Sequence, residues 1–245
     1  MIGYGPMEKE LYLINAIYRA TEGEGVFVGT PQIFVRYQGC NIGCLNCDSK
    51  DTWDFTSSFE RTWEELLEEI DQIHKDFPVM RMSITGGDPL HPKFVTGVRR
   101  LAHHFSEKGW FVNIEASGQR IVPEIFEQVQ YISFDYKTPT TQVKGRPALI
   151  AEMAKKYSGK FQVKAVVEGE SDFQDVLTAR EQVLQLLDSP TLNFPWVLTP
   201  VFSPGESFNP EQIMKIMDAN DRAGAPFRVI GQQHKFIHGP DKRNV

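Results

Sequence analysis

Two rhythms of apolar residues alternate along most of the chain: short β-branched and aromatic runs, and longer stretches in which apolar residues recur every three or four positions. The runs predict strands at Leu11–Ile17, Ile33–Tyr37, Arg81–Thr85, Phe111–Ala116, Tyr131–Asp135, Gln162–Val167 and Trp196–Val201, with a last one near Phe227–Ile230. The clearest helix follows Thr62. Thr62 and Glu65 have the capping-box spacing, and Trp63, Leu66, Leu67, Ile70, Ile73 and Phe77 form one stripe that reads as core. Helices are also predicted at Pro92–Lys108, Pro123–Val129, Pro147–Lys156, Phe173–Leu187 behind a Ser171/Asp172 cap, and Pro210–Ala223 behind Asn209.

Strands alternating with helices imply β-α units around a mostly parallel sheet. About six units fall short of the eight that close a barrel. The expected architecture is therefore α/β, a single-domain partial (open) β/α barrel of about six parallel strands over residues 1–245, with no internal repeat and no linker long enough to divide it. Chemistry is expected at the C-terminal ends of the strands.

Composition narrows the class. Hydrophobic residues at 41% and charged residues at 24% suffice for a sizeable core, which disfavours disorder. A formal charge of −6 with no Lys/Arg block argues against a direct nucleic-acid partner or a membrane surface. No basic leader with an apolar run and no membrane-length apolar stretch is visible, so a cytoplasmic protein is expected.

All three cysteines of the chain, Cys40, Cys44 and Cys47, lie in a loop at residues 38–52 after the second predicted strand, with C-x3-C-x2-C spacing. An odd number of thiols without a secretion signal fits ligation better than disulfides. Three soft ligands can converge on one metal centre, but a structural zinc needs a fourth, and all six histidines are remote in sequence. A histidine folding back would leave zinc open. The other solution is a [4Fe–4S] cluster with one iron left for a small molecule.

On this loop, in a β/α chain, the sequence resembles the radical S-adenosylmethionine superfamily. What the resemblance implies is a cluster held by Cys40, Cys44 and Cys47 that binds S-adenosylmethionine at its open iron. Reductive cleavage would then give a 5′-deoxyadenosyl radical. No side chain is assigned as catalytic, because that radical removes the substrate hydrogen. "ITGGDP" at 84–89 sits where the superfamily has its Gly-Gly-Glu-Pro motif, which implies cofactor contacts from Gly86 and Gly87 and puts Asp88 where Glu is usual. Glu115 and Ser117, in "EASG", match a segment that approaches the ribose. Ser133, Asp135 and Lys137 alternate at the next strand end, so they project to one side. Asn46 and Asp48 are the remaining implied cofactor contacts.

Thr21–Glu22–Gly23–Glu24–Gly25, Arg36 four residues before Cys40, "CDS" at 47–49 and "HKFIHGPD" near the end are together similar to the family of 7-carboxy-7-deazaguanine synthases. That resemblance implies a carbon–nitrogen lyase that converts 6-carboxy-5,6,7,8-tetrahydropterin to 7-carboxy-7-deazaguanine with loss of ammonia, on the route to queuosine and other 7-deazapurines. It implies pterin contacts from Thr21, Glu22, Gly23, Glu24, Arg36 and Thr85, Mg²⁺ on Ser49, a flavodoxin or ferredoxin as one-electron reductant, and a homodimer. Arg36 suits a substrate carboxylate because a guanidinium binds one through two parallel hydrogen bonds. Mg²⁺ takes hard oxygen ligands and keeps several waters, so one hydroxyl with substrate oxygens suffices. Two departures stand out: Glu22 replaces the usual Gln, and the tail 241–245 follows Gly239–Pro240. Two other functions remain open, a glycyl-radical-enzyme activase and a non-catalytic iron–sulfur or zinc scaffold.

Overall fold

In the long strands, buried apolar residues alternate with polar ones, so that each strand presents one face to covering helices and the other to an interior. The structure, a computed structural model, describes residues 10–202, 209–239 and 241–245. Its strands are β1 (Tyr12–Thr21), β2 (Pro31–Tyr37), β3 (Glu60–Arg61), β4 (Arg81–Gly86), β5 (Phe111–Ala116), β6 (Tyr131–Tyr136), β7 (Phe161–Val167), β8 (Trp196–Pro200) and β9 (Arg228–Val229). Among the described residues they form one sheet, in the order β3-β1-β2-β4-β5-β6-β7-β8-β9.

β1 pairs antiparallel with β2 and β3, and every neighbour from β2 to β9 is parallel. Six long parallel strands, β2 and β4 to β8, carry the expected open β/α architecture. The edges are the two-residue β3 and β9. Such short edges offer little free backbone to another chain.

The helices are α1 (Trp63–Asp76), α2 (Val95–Glu107), α3 (Pro123–Phe126), α4 (Pro147–Lys156), α5 (Glu170–Leu187), α6 (Pro210–Arg222) and α7 (Gln233–His238). Val35, Ile84, Ile114, Ile132, Phe134 and Val163 are fully buried on the helix-covered side of the sheet. The Thr62 cap forms as expected: Thr62 Oγ1 accepts from Glu65 N at 3.2 Å, and Thr62 N donates to Glu65 Oε2 at 2.7 Å. Asn209 caps α6 by accepting from Glu211 N at 3.0 Å.

Three expectations are corrected. α5 starts at Glu170 behind Gly169, three residues earlier than predicted, and Asp172 does not cap it. The buried Asp172 carboxylate instead accepts from Thr140 N, Thr140 Oγ1 and Glu168 N, tying the loop after β6 to α5. β1 runs four residues past Ile17, which carries Tyr18 into the interior, and α7 was not foreseen.

The interior face has two polar layers, because β4, β5, β6 and β7 each place polar residues at i and i+2. The lower layer is one hydrogen-bonded row. Asn113 Nδ2 donates to Ser83 Oγ (2.9 Å), Ser133 Oγ to Asn113 Oδ1 (3.4 Å), and Gln162 Nε2 to Ser133 Oγ (2.9 Å). Two residues further along the same strands, Thr85, Glu115, Asp135 and Lys164 form the upper layer and line the cavity.

Candidate active site

A cavity of about 360 Å³ fills the interior between the cysteine loop at the C-terminal ends of the strands and the Thr21–Glu24 loop at the other end. The first loop is built by backbone bonds: Gly39 N donates to Thr52 O (2.7 Å), Cys40 N to Trp53 O (3.1 Å), and Cys47 N to Cys44 O (3.2 Å). The strand-end glycines fix its base. A Cβ on Gly87 would lie 2.5 Å from Gly39 O and 2.8 Å from Thr52 O, so only glycine lets β4 meet the loop here. Asp88 N donates to Gly39 O at 3.0 Å, and the Asp88 side chain turns away into the core to pair with Arg120 at 3.4 Å. Burial raises the Asp88 carboxyl against the pull of Arg120. Asp88 thus anchors structure.

Cys40, Cys44 and Cys47 all line the cavity, half-buried and free of disulfides. Burial pushes the Cys40 and Cys44 thiols up, and the charge of Cys47 adds to both. Ile42 N and Ser49 N donate to the sulfurs of Cys40 and Cys47, each at 3.4 Å. Cys47 is near enough to act on both other thiols, so the three are costly to ionise together without a cation. Asn46 lines the same wall, and its Nδ2 is buried with no acceptor among the described residues. Thiols, amide-stabilised sulfurs and an unused donor fit a three-cysteine [4Fe–4S] cluster with a polar cofactor beside it.

Arg36 joins β1 to the cysteine loop. Its Nη2 donates to Tyr18 OH at 2.6 Å and its Nη1 to Ser49 Oγ at 3.3 Å, so β1 and the cysteine loop both orient the guanidinium. Ser49 Oγ donates in turn to Asp48 Oδ1 at 2.9 Å. The tail reaches the same place: Arg243 pairs with Asp51 and donates to Asp48 O, and Lys242 to Val245 line the cavity.

Long-range side-chain bonds build the loop at the lower end. Val26 N donates to Gln162 Oε1 (2.8 Å), which ties the loop to the polar row, and Gln233 N donates to Gly23 O (2.9 Å). A Cβ on Gly23 would fall 2.0 Å from His234 Nδ1, so α7 packs directly on this glycine. Glu22 is buried. Its Oε2 accepts from Gln32 Nε2 (2.7 Å) and its Oε1 from Glu24 N (3.2 Å). Gln32 Oε1 accepts from Arg81 Nε at 3.1 Å, and the Arg81 guanidinium lies between the rings of Phe27 and Phe111. Burial, with the charge of Glu115 added, lifts the Glu22 carboxyl to about 7.

Glu24 faces the cavity and accepts from Lys164 Nζ (3.1 Å) and from Gln232 Nε2. Burial works to raise its carboxyl, but Lys164, His234 and the bond from Gln232 prevail and hold it at about 2. Lys164 Nζ also donates to Glu115 Oε2 at 2.7 Å. Lys137 donates to Asp135 at 2.7 Å; burial opposes its charge, while Asp135 and then Cys44 keep it well above the ordinary lysine range.

Of the residues expected to hold the cluster, Mg²⁺, cofactor or pterin, all but Ser133 line the cavity, while Gly25 and Asp88 lie outside it. Ser133 is one layer too low. It is buried, holding Asn113 and accepting from Gln162, and serves the floor of the cavity. The sequence reading missed Lys164, Gln162, Gln232 and Tyr18. For two of them a signal existed: "NIE", "SFD" and "QVK" each repeat a polar pair at i and i+2 on an otherwise apolar strand.

Residues 34–166, more than half of the chain, match the model of the radical SAM superfamily. Proteins named 7-carboxy-7-deazaguanine synthase are similar: one from Koribacter versatilis is 28% identical over 241 residues, covering 95% of this chain and 99% of that protein. One from Prochlorococcus marinus is 31% identical over 49% of this chain and 53% of its own length, and one from Methanothermobacter thermautotrophicus 35% identical over 50% and 46%. With the latter two, the chain spans about half the length of the relative. Among solved structures, QueE from Escherichia coli matches with a TM-score of 0.63 and 20% identity over 91% of this chain and 95% of that one. Streptococcus suis SuiB bound to precursor peptide SuiA gives a TM-score of 0.55 and 14% identity over 81% and 47%. Both likenesses concern the fold. With the cysteine loop, the glycine-floored cavity and the matched segment in agreement, the chain belongs to the radical S-adenosylmethionine superfamily.

Proposed function

We propose that the chain is a 7-carboxy-7-deazaguanine synthase, which rearranges 6-carboxy-5,6,7,8-tetrahydropterin to 7-carboxy-7-deazaguanine with loss of ammonia. One observation carries the assignment: a single cavity joins the three-cysteine loop to an acidic glycine loop and to an arginine held between β1 and the cysteine loop. The names of the relatives support the same activity. An activase that docks a protein would have no use for a lower end furnished with carboxylate acceptors and a half-buried guanidinium fixed above it.

When bound, the cluster and S-adenosylmethionine supply the 5′-deoxyadenosyl radical that takes hydrogen from the substrate. The chain's own residues do the rest. Cys40, Cys44 and Cys47 hold the cluster, and Asn46, Asp48, Gly86, Gly87, Glu115, Ser117, Asp135 and Lys137 surround the cofactor. Arg36, held from both sides, binds the substrate carboxylate. Glu24, ionised at any physiological pH, accepts from the N–H edge of the heterocycle, with Thr21, Gly23 and Thr85 beside it. Ser49 offers an oxygen to Mg²⁺, a hard ion that keeps most of its ligands as water and substrate oxygen. The fold works as one domain and as a homodimer in the cytoplasm, with flavodoxin or ferredoxin supplying electrons.

The test is anaerobic reconstitution with iron and sulfide, then reduction in the presence of carboxytetrahydropterin, S-adenosylmethionine and Mg²⁺. 5′-Deoxyadenosine and 7-carboxy-7-deazaguanine should form together. 5′-Deoxyadenosine alone would favour the activase, and neither product would favour a scaffold.

A further inference from the structure

Lys164 has no part in the function proposed above, yet it stands where the two halves of the cavity meet. Its side chain is 11% exposed, with Nζ 2.7 Å from Glu115 and 3.1 Å from Glu24. These acids come from opposite ends of the site. Glu24 belongs to the lower loop and Glu115 to the end of β5, and Lys164 reaches across β6 to join them. Each acid is also held from its other oxygen, Glu24 by Gln232 and Glu115 by Asn113 Nδ2 at 3.0 Å. An ammonium has three N–H donors, so one remains for a bound molecule.

Charge balance shows what the lysine does. Glu22, Glu24, Glu115 and Asp135 all act on Lys164 and keep it far above the ordinary lysine range, although burial opposes this. Lys137 is already engaged by Asp135, and Arg36 by Tyr18 and Ser49. Without Lys164, Glu24 and Glu115 would face each other across a partly buried space, and they would have to protonate, move apart or draw in water. Any of these outcomes unsettles both ligand sites at once.

We infer that Lys164 is a positioning residue that ties the heterocycle-binding Glu24 to the cofactor-facing Glu115, so that each ligand's affinity depends on both acids. The roles of Glu24 and Glu115 rest on the proposed function; the bridge itself rests on the two Nζ–carboxylate distances.

The experiment compares Lys164→Met, Lys164→Arg, Glu24→Gln and the Lys164→Met/Glu24→Gln pair in the reconstituted enzyme. It measures the KM for carboxytetrahydropterin and the equilibrium binding of S-adenosylmethionine. Loss of a charge-assisted bond should raise the KM of Lys164→Met roughly 10- to 100-fold. Iron content should be unchanged, and 5′-deoxyadenosine should form in excess of product. Lys164→Arg should recover part of the loss, and the double variant should bind S-adenosylmethionine no worse than Lys164→Met, since at the cofactor both remove the same bridge. A KM of Lys164→Met within twofold of wild type, or single losses in S-adenosylmethionine binding that multiply in the double variant, overturns the inference. Should Lys164→Met fail to fold, Glu24→Gln decides. It lies at the heterocycle end, and the bridge requires it to weaken S-adenosylmethionine binding at least about 5-fold; unchanged binding overturns the inference. A wild-type enzyme that makes no deazapurine refutes the proposed function, and the S-adenosylmethionine titration still tests the bridge.

Discussion

The two loops that enclose the cavity are made in opposite ways. The cysteine loop is closed mainly by backbone bonds among residues 39–53 and by the β4 strand end, with Leu45 N to Thr141 O and Arg243 as its distant ties. The loop at 21–25 has local backbone bonds at its base, Glu22 N to Thr30 O and Gly29 N to Glu22 O, but its cavity side is held by side chains far away in sequence: Gln162 is 136 residues from Val26, Lys164 is 140 from Glu24, and Gln232 is 208 from Glu24. A locally closed loop carries its function in its own spacing. A loop closed at long range acquires function only after the sheet has formed, and its parts act as a coupled set.

The largest effect should follow from breaking the local loop at a ligand. Cys44→Ala removes one of three sulfurs, and no other cysteine exists to replace it. Iron in the reconstituted protein should fall to near background, and S-adenosylmethionine cleavage should drop by at least ~10³-fold, about 4 kcal/mol of barrier. A Cys44→Ala protein that keeps its full iron content would mean that the cluster is held elsewhere.

Two glycines sharpen the contrast. In Gly87→Ala the new Cβ meets carbonyl oxygens of the cysteine loop, which cannot move without opening that loop. Overpacking of this kind costs roughly 1–3 kcal/mol, a fall of ~2–12 °C in melting temperature for a chain of this size. In Gly23→Ala the new Cβ meets the His234 ring, a side chain that can rotate on a six-residue helix. Its melting point should fall by less than half as much, while the KM for the pterin still rises several-fold. Equal destabilisation by the two would erase the distinction between a rigid and a yielding wall.

The same contrast explains what the sequence revealed. The cysteine loop was readable because its three sulfurs lie within eight positions, and the Thr62 cap because it spans four. Gly86 and Gly87 were readable from a strand end followed by paired glycines. Asp172 was misread for a physical reason: an acid at a helix start looks like a cap, and only the fold shows the Thr140 loop claiming its oxygens. Ser133 alternates with Asp135 as expected, but alternation gives the face of a strand and not the depth. Depth depends on the stagger between strands, which pairs Glu115 with Ser133 and Asp135 with Lys164. The polar pair in "QVK" gave the face of Lys164 but not its partners, and Gln232 was out of reach because Glu24 lies on another element.

Glu22 tests, through a pH dependence rather than a fixed loss, whether the lower loop is assembled as a set. The residue is 7% exposed, and burial, with the charge of Glu115 added, raises its carboxyl from 4.5 to about 7 in the fold. The folded chain therefore holds this proton more tightly than the unfolded chain. The resulting stabilisation is complete below about pH 4.5, declines as pH rises and is gone above about 7. Over the 2.5 units between those values the ceiling is ~3 kcal/mol, at ~1.4 kcal/mol per unit. Glu22→Gln abolishes the titration but has its own constant cost. Gln32 is fixed by Arg81 so that its amide N–H points at residue 22, and Glu24 N points there as well, so a glutamine can accept only one of the two bonds with its carbonyl oxygen. That loss, about 1 kcal/mol, does not change with pH. The difference in melting temperature, variant minus wild type, should thus start negative near pH 4.5, climb by several degrees and level off above pH 7. A flat difference across that range would mean that Glu22 does not share its burial with Glu115, and the lower end of the cavity would then be a loose turn whose residues act one by one.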